Sequence, residues 1–287
     1  MYLKAIKLIR RISKRKKKSF FISSKKDIKL FKKNIKDQKI FGVDTEFDWR
    51  STYFPKLSLL QISTDKDLFV LDCLNFDFRN IIKPLFESHS CLKVFHSVRS
   101  DATVIKNCLD IEVENVFDIQ LAEKIINAED VKNYAKIVSR YFGIKINKNE
   151  TNSNWLRRPL TDSQIDYALD DIDYLIEIYK LQKKVLKRKS IFNKVLELSK
   201  QEAKEGNKNF KLSRLEKKPK LSEKERTIFL WREETAEKFN IPPSFIFKNK
   251  SLSKLAKIKS KDPLAEKKIM KIFGDTNNAK KFITKFL

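Results

Sequence analysis

Lys39-Ile40-Phe41-Gly42-Val43-Asp44-Thr45-Glu46-Phe47 sets the class of fold. Ile40, Phe41 and Val43 read as a buried strand that leads straight into an Asp-x-Glu pair. Strand side chains alternate, so Asp44 and Glu46 leave the same face of the sheet. Two like charges side by side at the end of an apolar strand are costly unless something cationic neutralises them. A divalent ion does this well, because Mg²⁺ takes carboxylate oxygens and keeps several of its waters. The ordinary alternative is a strand end with two solvated carboxylates, and the pair alone does not exclude it.

Outward from this strand, two apolar runs, 57–63 and 67–72, are separated by Thr64-Asp65-Lys66, a hairpin pattern. A short strand over 92–95 runs toward Ser100, an N-cap candidate, and a helix to about Cys108 that carries Asp101 in its first turn. There an acid also complements the helix dipole, which is its plain structural role. A helix fits 118–126. A long one fits 161–186, opened by Thr161-Asp162-Ser163-Gln164. It places Tyr167 and Asp171 on one face at i and i+4, within an acidic cluster that could equally be a solvated surface. Strands first and then strands mixed with helices predict an α/β domain on a mixed sheet. A basic helical connector follows over 187–219, breaking near Gly206-Asn207. After Pro219 the pattern is all helix: 221–239, a turn at Ile241-Pro242-Pro243, then short helices near 252–258 and 265–273. The expected division is a basic arm over 1–18, an α/β domain over 19–186, the connector, and a small helical domain over 220–287.

The 287-residue chain is 41% hydrophobic with 22 Phe, enough apolar material for real cores. Its four Gly argue against a Gly-rich phosphate loop. The net charge of +26 sits at the ends: residues 1–18 hold nine Lys/Arg and no acid, whereas 19–180 hold 24 basic and 25 acidic residues. Basic flanks predict a polyanionic partner, gaining affinity for phosphates by counterion release; a generally Lys-rich composition is the competing explanation. Cys73, Cys91 and Cys108 are odd in number and lack metal-ligand spacing, so they read as buried thiols in a reducing, cytoplasmic setting. No run is long and apolar enough for a bilayer, so no membrane is expected.

Order and context combine these separate signals. Val43-Asp44-Thr45-Glu46-Phe47, then Phe95-His96-x4-Asp101, then Tyr167-x3-Asp171 resemble the three motifs of the DEDD 3′→5′ exonucleases, tyrosine subtype. Between them, 52–61 (Thr-Tyr-Phe-Pro-Lys-Leu-Ser-Leu-Leu-Gln), Phe117-Asp118-Ile119-Gln120 and Asn154-Trp155-Leu156-Arg157-Arg158-Pro159-Leu160 resemble segments of ribonuclease D. Trp231-Arg232-Glu233, Ala236, Asn240-Ile241-Pro242 and Leu252-x-x-Leu255-Ala256 resemble the HRDC module, the helicase and ribonuclease D C-terminal helical bundle. Asn154 stands where that pattern has Asp.

This resemblance implies a ribonuclease H-like exonuclease domain, a mixed sheet with flanking helices, joined to an HRDC domain. It also implies hydrolysis with two divalent ions, Mg²⁺ or Mn²⁺, releasing 5′-mononucleotides from RNA 3′ ends. By motif, Asp44 would bridge both ions, Glu46 and Asp171 would complete one, Asp101 would reach the other, and Tyr167 would orient the attacking water. Thr45, Phe47, His96, Trp155 and Arg158 are lesser candidates for substrate contact, with Phe47 offering an aromatic surface for a base. The implied partner is RNA, with transfer-RNA precursors the family expectation. A DNA-directed exonuclease and a non-catalytic nucleic-acid-binding protein are the alternatives.

Overall fold

The computed structural model of the chain describes residues 17–129, 133–273 and 276–287, so the expected basic arm lies outside the described residues except for Lys17 and Lys18. The chain divides into two compact units, Met1–Asp48 with Lys56–Asn207, and Trp49–Pro55 with Lys208–Leu287.

The first unit is built on six strands: β1 (Lys18–Ile22), β2 (Ile40–Asp48), β3 (Lys56–Ser63), β4 (Asp67–Asp72), β5 (Leu92–Phe95) and β6 (Val116–Asp118). Their order is β1-β4-β3-β2-β5-β6. The expected hairpin is present, with β3 antiparallel to β4 and to β2, while β5, β6 and β1 join in parallel. The sheet is therefore mixed, as the element order predicts. Around it lie α1 (Lys25–Ile35), α2 (Arg79–Phe86), α3 (Val98–Leu109), α4 (Ile119–Asn127), α5 (Tyr134–Phe142), α6 (Asp162–Asp173), α7 (Leu175–Arg188) and α8 (Phe192–Asn207).

Strand β2 sits inside the sheet, and its two faces divide the work. Phe41 and Val43 are fully buried in the main core with Ile62, Phe95, Ala102 and Ile105. Each such side chain contributes about 1.5–3 kcal/mol on leaving water. Gly42 faces the other way: a Cβ there would lie 2.3 Å from Ser63 Oγ and 2.9 Å from Leu175 Cβ, so the missing side chain lets α7 seat against the strand.

Three expectations change. Helix α3 starts at Val98, so Ser100 is not its cap; the Asp118 carboxylate accepts the Ser97 and Val98 N–H groups at 3.0 and 2.9 Å instead. The helix expected over 161–186 opens with the Thr161–Gln164 capping box but breaks at Tyr174, whose N–H donates to Tyr134 Oη at 3.1 Å. The connector expected over 187–219 is not a separate element. Residues through Asn207 belong to the first unit, where Val195, Ser199 and Ala203 of α8 are buried, and residues from Lys208 belong to the second.

The second unit is helical: α9 (Phe210–Glu216), α10 (Glu223–Phe239), α11 (Pro243–Ile246), α12 (Leu252–Ala256), α13 (Ala265–Ile272) and α14 (Thr276–Phe286). Ser222 and Glu225 form a capping box at the start of α10. Trp231 is core, packing edge-on against Phe273 and Phe282. Glu233 is fully buried but doubly paired, with Arg214 at 2.8 Å and Arg232 at 3.0 Å. The segment Trp49–Pro55 belongs to this unit: Asn240 Oδ1 accepts the N–H groups of Tyr53 and Phe54, and Trp49, Tyr53 and Phe54 pack around Phe210.

Candidate active site

Asp44, Glu46 and Asp171 converge, each offering a carboxylate oxygen within 4.8 Å of the others. Two elements assemble this group. Strand alternation puts Asp44 and Glu46 on one face, and α6, started by its capping box, presents Asp171 to that face. Asp101 stands beside them rather than in the three-residue set. Its buried carboxylate accepts the Thr45 hydroxyl at 2.6 Å, and after burial its charge is the largest influence raising Asp44.

The electrostatics are those of a cation site. Burial, then repulsion from Asp101, Asp171 and Glu46, holds Asp44 well above the usual carboxylate range. Burial, with Asp171 and Asp101, pushes Glu46 up to about 9. Burial also lifts Asp101 to about 7 against the pull of Thr45, and raises Asp171 despite its partner Lys148. Four carboxylates that resist ionisation together fit an oxygen-ligated divalent cation such as Mg²⁺ or Mn²⁺, which would offset the repulsion.

Lys148, which sequence reading did not single out, is the cation already present. Its ammonium pairs with Asp171 and lies 4.9 Å from the Tyr167 ring centroid and 5.5 Å from that of Tyr134. A lysine in an irregular segment of a Lys-rich chain carries no positional signal. Tyr167 lies one turn before Asp171, its hydroxyl 3.1 Å from Thr151 Oγ1 and its ring 5.8 Å from that of Trp155. Burial and then Asp171 raise its phenol, so it stays protonated at neutral pH.

The lesser candidates take mostly supporting positions. Thr45 is buried and holds Asp101. Phe47, after a register shift between Glu46 and Phe47, packs partly buried against the main core. His96 packs edge-on against Tyr134, 3.3 Å from Gln120, and burial lowers it to about 4, so its ring is neutral near pH 7. Trp155 is 2% exposed and walls Tyr167. The Arg158 guanidinium is committed to Asp72, at 2.9 and 2.7 Å, and to the Trp155 carbonyl at 2.8 Å, so it fixes the segment carrying Trp155.

The family model described as "3'-5' exonuclease" matches residues 20–187, and the HRDC domain model matches 226–274. The chain is 28% identical to ribonuclease D of Desulfotalea psychrophila over 86% of its own length and 69% of the relative's. It is 29% identical to that of Bartonella henselae over 84% and 61%. The chain thus spans about two thirds of the length of these relatives. It superposes on Escherichia coli RNase D, described as an exoribonuclease involved in structured RNA processing, with a TM-score of 0.83 at 20% identity, over 93% of this chain and 73% of that one. The chain belongs to the 3′–5′ exonuclease family, as a ribonuclease D-type member that carries an HRDC domain.

Proposed function

We propose that this chain is a 3′→5′ exoribonuclease that uses two divalent ions to release 5′-mononucleotides from RNA, with transfer-RNA precursors as substrate. The observation that carries this reading is the convergence of Asp44, Glu46 and Asp171, with Asp101 and Tyr167 near them. Asp44, Glu46 and Asp171 would hold one ion, and Asp44 with Asp101 the second. Bound there, the ions would acidify a water and neutralise charge on the attacked phosphate.

The chain's own groups do the rest. Thr45 fixes the Asp101 carboxylate, so that ligand is oriented in advance. Tyr167, kept protonated, positions the attacking water by a hydrogen bond rather than removing its proton. Trp155 limits the motion of the Tyr167 ring, and Arg158 holds the Trp155 carbonyl. Lys148 balances the carboxylates on the side of Asp171.

Capture of RNA is assigned to the basic second unit. It carries a cavity of about 750 Å³ edged by Phe245, Lys248, Lys250, Lys254, Lys268 and Lys271, and Phe245 is 62% exposed. Lysines beside an open aromatic ring supply phosphate attraction and a stacking surface for single strands. A cytoplasmic location is supported by free Cys73, Cys91 and Cys108, and among the described residues no helix is long and apolar enough to cross a membrane.

The test is digestion of matched 5′-labelled RNA and DNA single strands in Mg²⁺ with wild type and Asp44→Ala. The reading expects a ladder of shortening RNA from wild type alone. Preferential DNA shortening would make the enzyme DNA-directed, and equal inactivity of both proteins would leave only nucleic-acid binding.

A further inference from the structure

The face of β3 beside the carboxylates carries buried polar groups of its own. Gln61 and Ser63 are both fully buried. Gln61 Nε2, Gln61 Oε1 and Ser63 Oγ have no hydrogen-bond partner among the described residues. Buried side-chain amides ordinarily find partners, so one with neither end satisfied calls for a cause.

The sheet register supplies one. Gln61 lies directly opposite Asp44 in the β2–β3 ladder, and Ser63 opposite Gly42. Opposed residues in an antiparallel pair share a face, with Cβ atoms about 4.5–5.5 Å apart. Gln61 therefore lies on the carboxylate face. Its other neighbours there are Leu59, two residues back on β3, and Val70, opposite it on β4; both belong to the apolar cluster with Trp155 and Tyr167. Within the sheet, Asp44 across the ladder and Ser63 along the strand are the polar groups directly alongside the amide.

We propose that Gln61 is a positioning residue for Asp44: once an ion is bound, its amide N–H, unpartnered without the ion, donates to the Asp44 carboxylate across the ladder and fixes it as a ligand. This role rests on the metal reading given above. An amide suits it better than a charged group: a lysine here would compete with the ions, and a further carboxylate would add to the repulsion. The donor holds the Asp44 oxygens in place for the ion. Without the ion the same amide is a liability, because its polar atoms are buried unpaired.

These two effects have opposite signs, which makes the role testable in the full chain with Gln61→Met, a substitution of similar volume lacking the donor. Mn²⁺ affinity is measured by electron paramagnetic resonance, and the thermal midpoint is measured in chelator. The Mn²⁺ Kd is expected to rise about 10- to 100-fold, while the midpoint in chelator is unchanged or higher. A Kd within twofold of wild type overturns the role. So does a raised Kd with a lowered midpoint, or failure to fold in chelator, because Gln61 would then be a packing residue. Wild type that binds no Mn²⁺ overturns the metal reading itself, and this role with it.

Discussion

Glu46→Gln should make the metal-free protein more stable and the enzyme inactive. Burial and two neighbouring carboxylates push Glu46 up to about 9, from an ordinary 4.5. A carboxylate raised on folding destabilises the fold once the pH passes its unfolded value, and the cost grows until the folded value is reached. At pH 7.5 that interval spans about three pH units, or roughly 4 kcal/mol at ~1.36 kcal/mol per unit. The substituted amide recovers this but leaves its own polar atoms short of partners, at about 1–3 kcal/mol. The net gain is about 1–3 kcal/mol, or roughly 3–10 °C in melting midpoint for a unit of this size. The assay is thermal unfolding in chelator at pH 7.5 and 5.0, followed by the same melts in Mg²⁺. The gain should shrink at pH 5.0, where wild-type Glu46 is protonated at little cost, and Mg²⁺ should stabilise wild type more than the variant. A variant that melts no higher than wild type at pH 7.5, or a gain independent of pH, refutes the electrostatic reasoning.

Lys148→Met removes the cation paired with Asp171, and should lower the midpoint in chelator by about 1–2 kcal/mol of stability, with a smaller loss in Mg²⁺. Equal losses with and without the ion would show that Lys148 serves packing alone. Gly42→Ala brings a methyl group to 2.9 Å from Leu175 Cβ, a neighbour that cannot rotate away. It should cost roughly 1–3 kcal/mol in denaturant unfolding, and an unchanged midpoint would mean that α7 shifts freely. Replacing Lys248, Lys250 and Lys254 together by Gln should reduce the slope of log affinity for single-stranded RNA against log salt by about 2. A fluorescence-anisotropy salt series checks this, and an unchanged slope would move RNA capture away from that groove.

What could be read from the chain alone followed the strength of local patterning. Strand β2, the β3–β4 hairpin and the capping box of α6 announce themselves in short stretches, so Asp44, Glu46, Tyr167 and Asp171 could be placed on their elements. Asp101 reached the right helix even though its cap was misassigned, because the cap comes from Asp118, a residue distant in sequence. The break at Tyr174 has a similar origin, a tertiary hydrogen bond that the Tyr174 N–H donates to Tyr134. Strands β1 and β6, of five and three residues, are too short to show a period. The link from Thr45 to Asp101 spans 56 positions, and Lys148 sits in an irregular segment, so neither has a local signature. The aromatic run Trp49, Tyr53, Phe54 held the one overlooked hint: a loop with three large rings must bury them somewhere, and they pack in the helical unit.

At the centre stands the proposal that the four carboxylates hold the ions that hydrolyse RNA from its 3′ end. Its most direct test is digestion of a 3′-extended transfer RNA by wild type and Asp44→Ala, each in Mg²⁺ and in chelator, with the released products identified. 5′-Mononucleotides are expected from wild type in Mg²⁺ and none in the other three reactions. Mononucleotide release by Asp44→Ala, or by wild type in chelator, would contradict it.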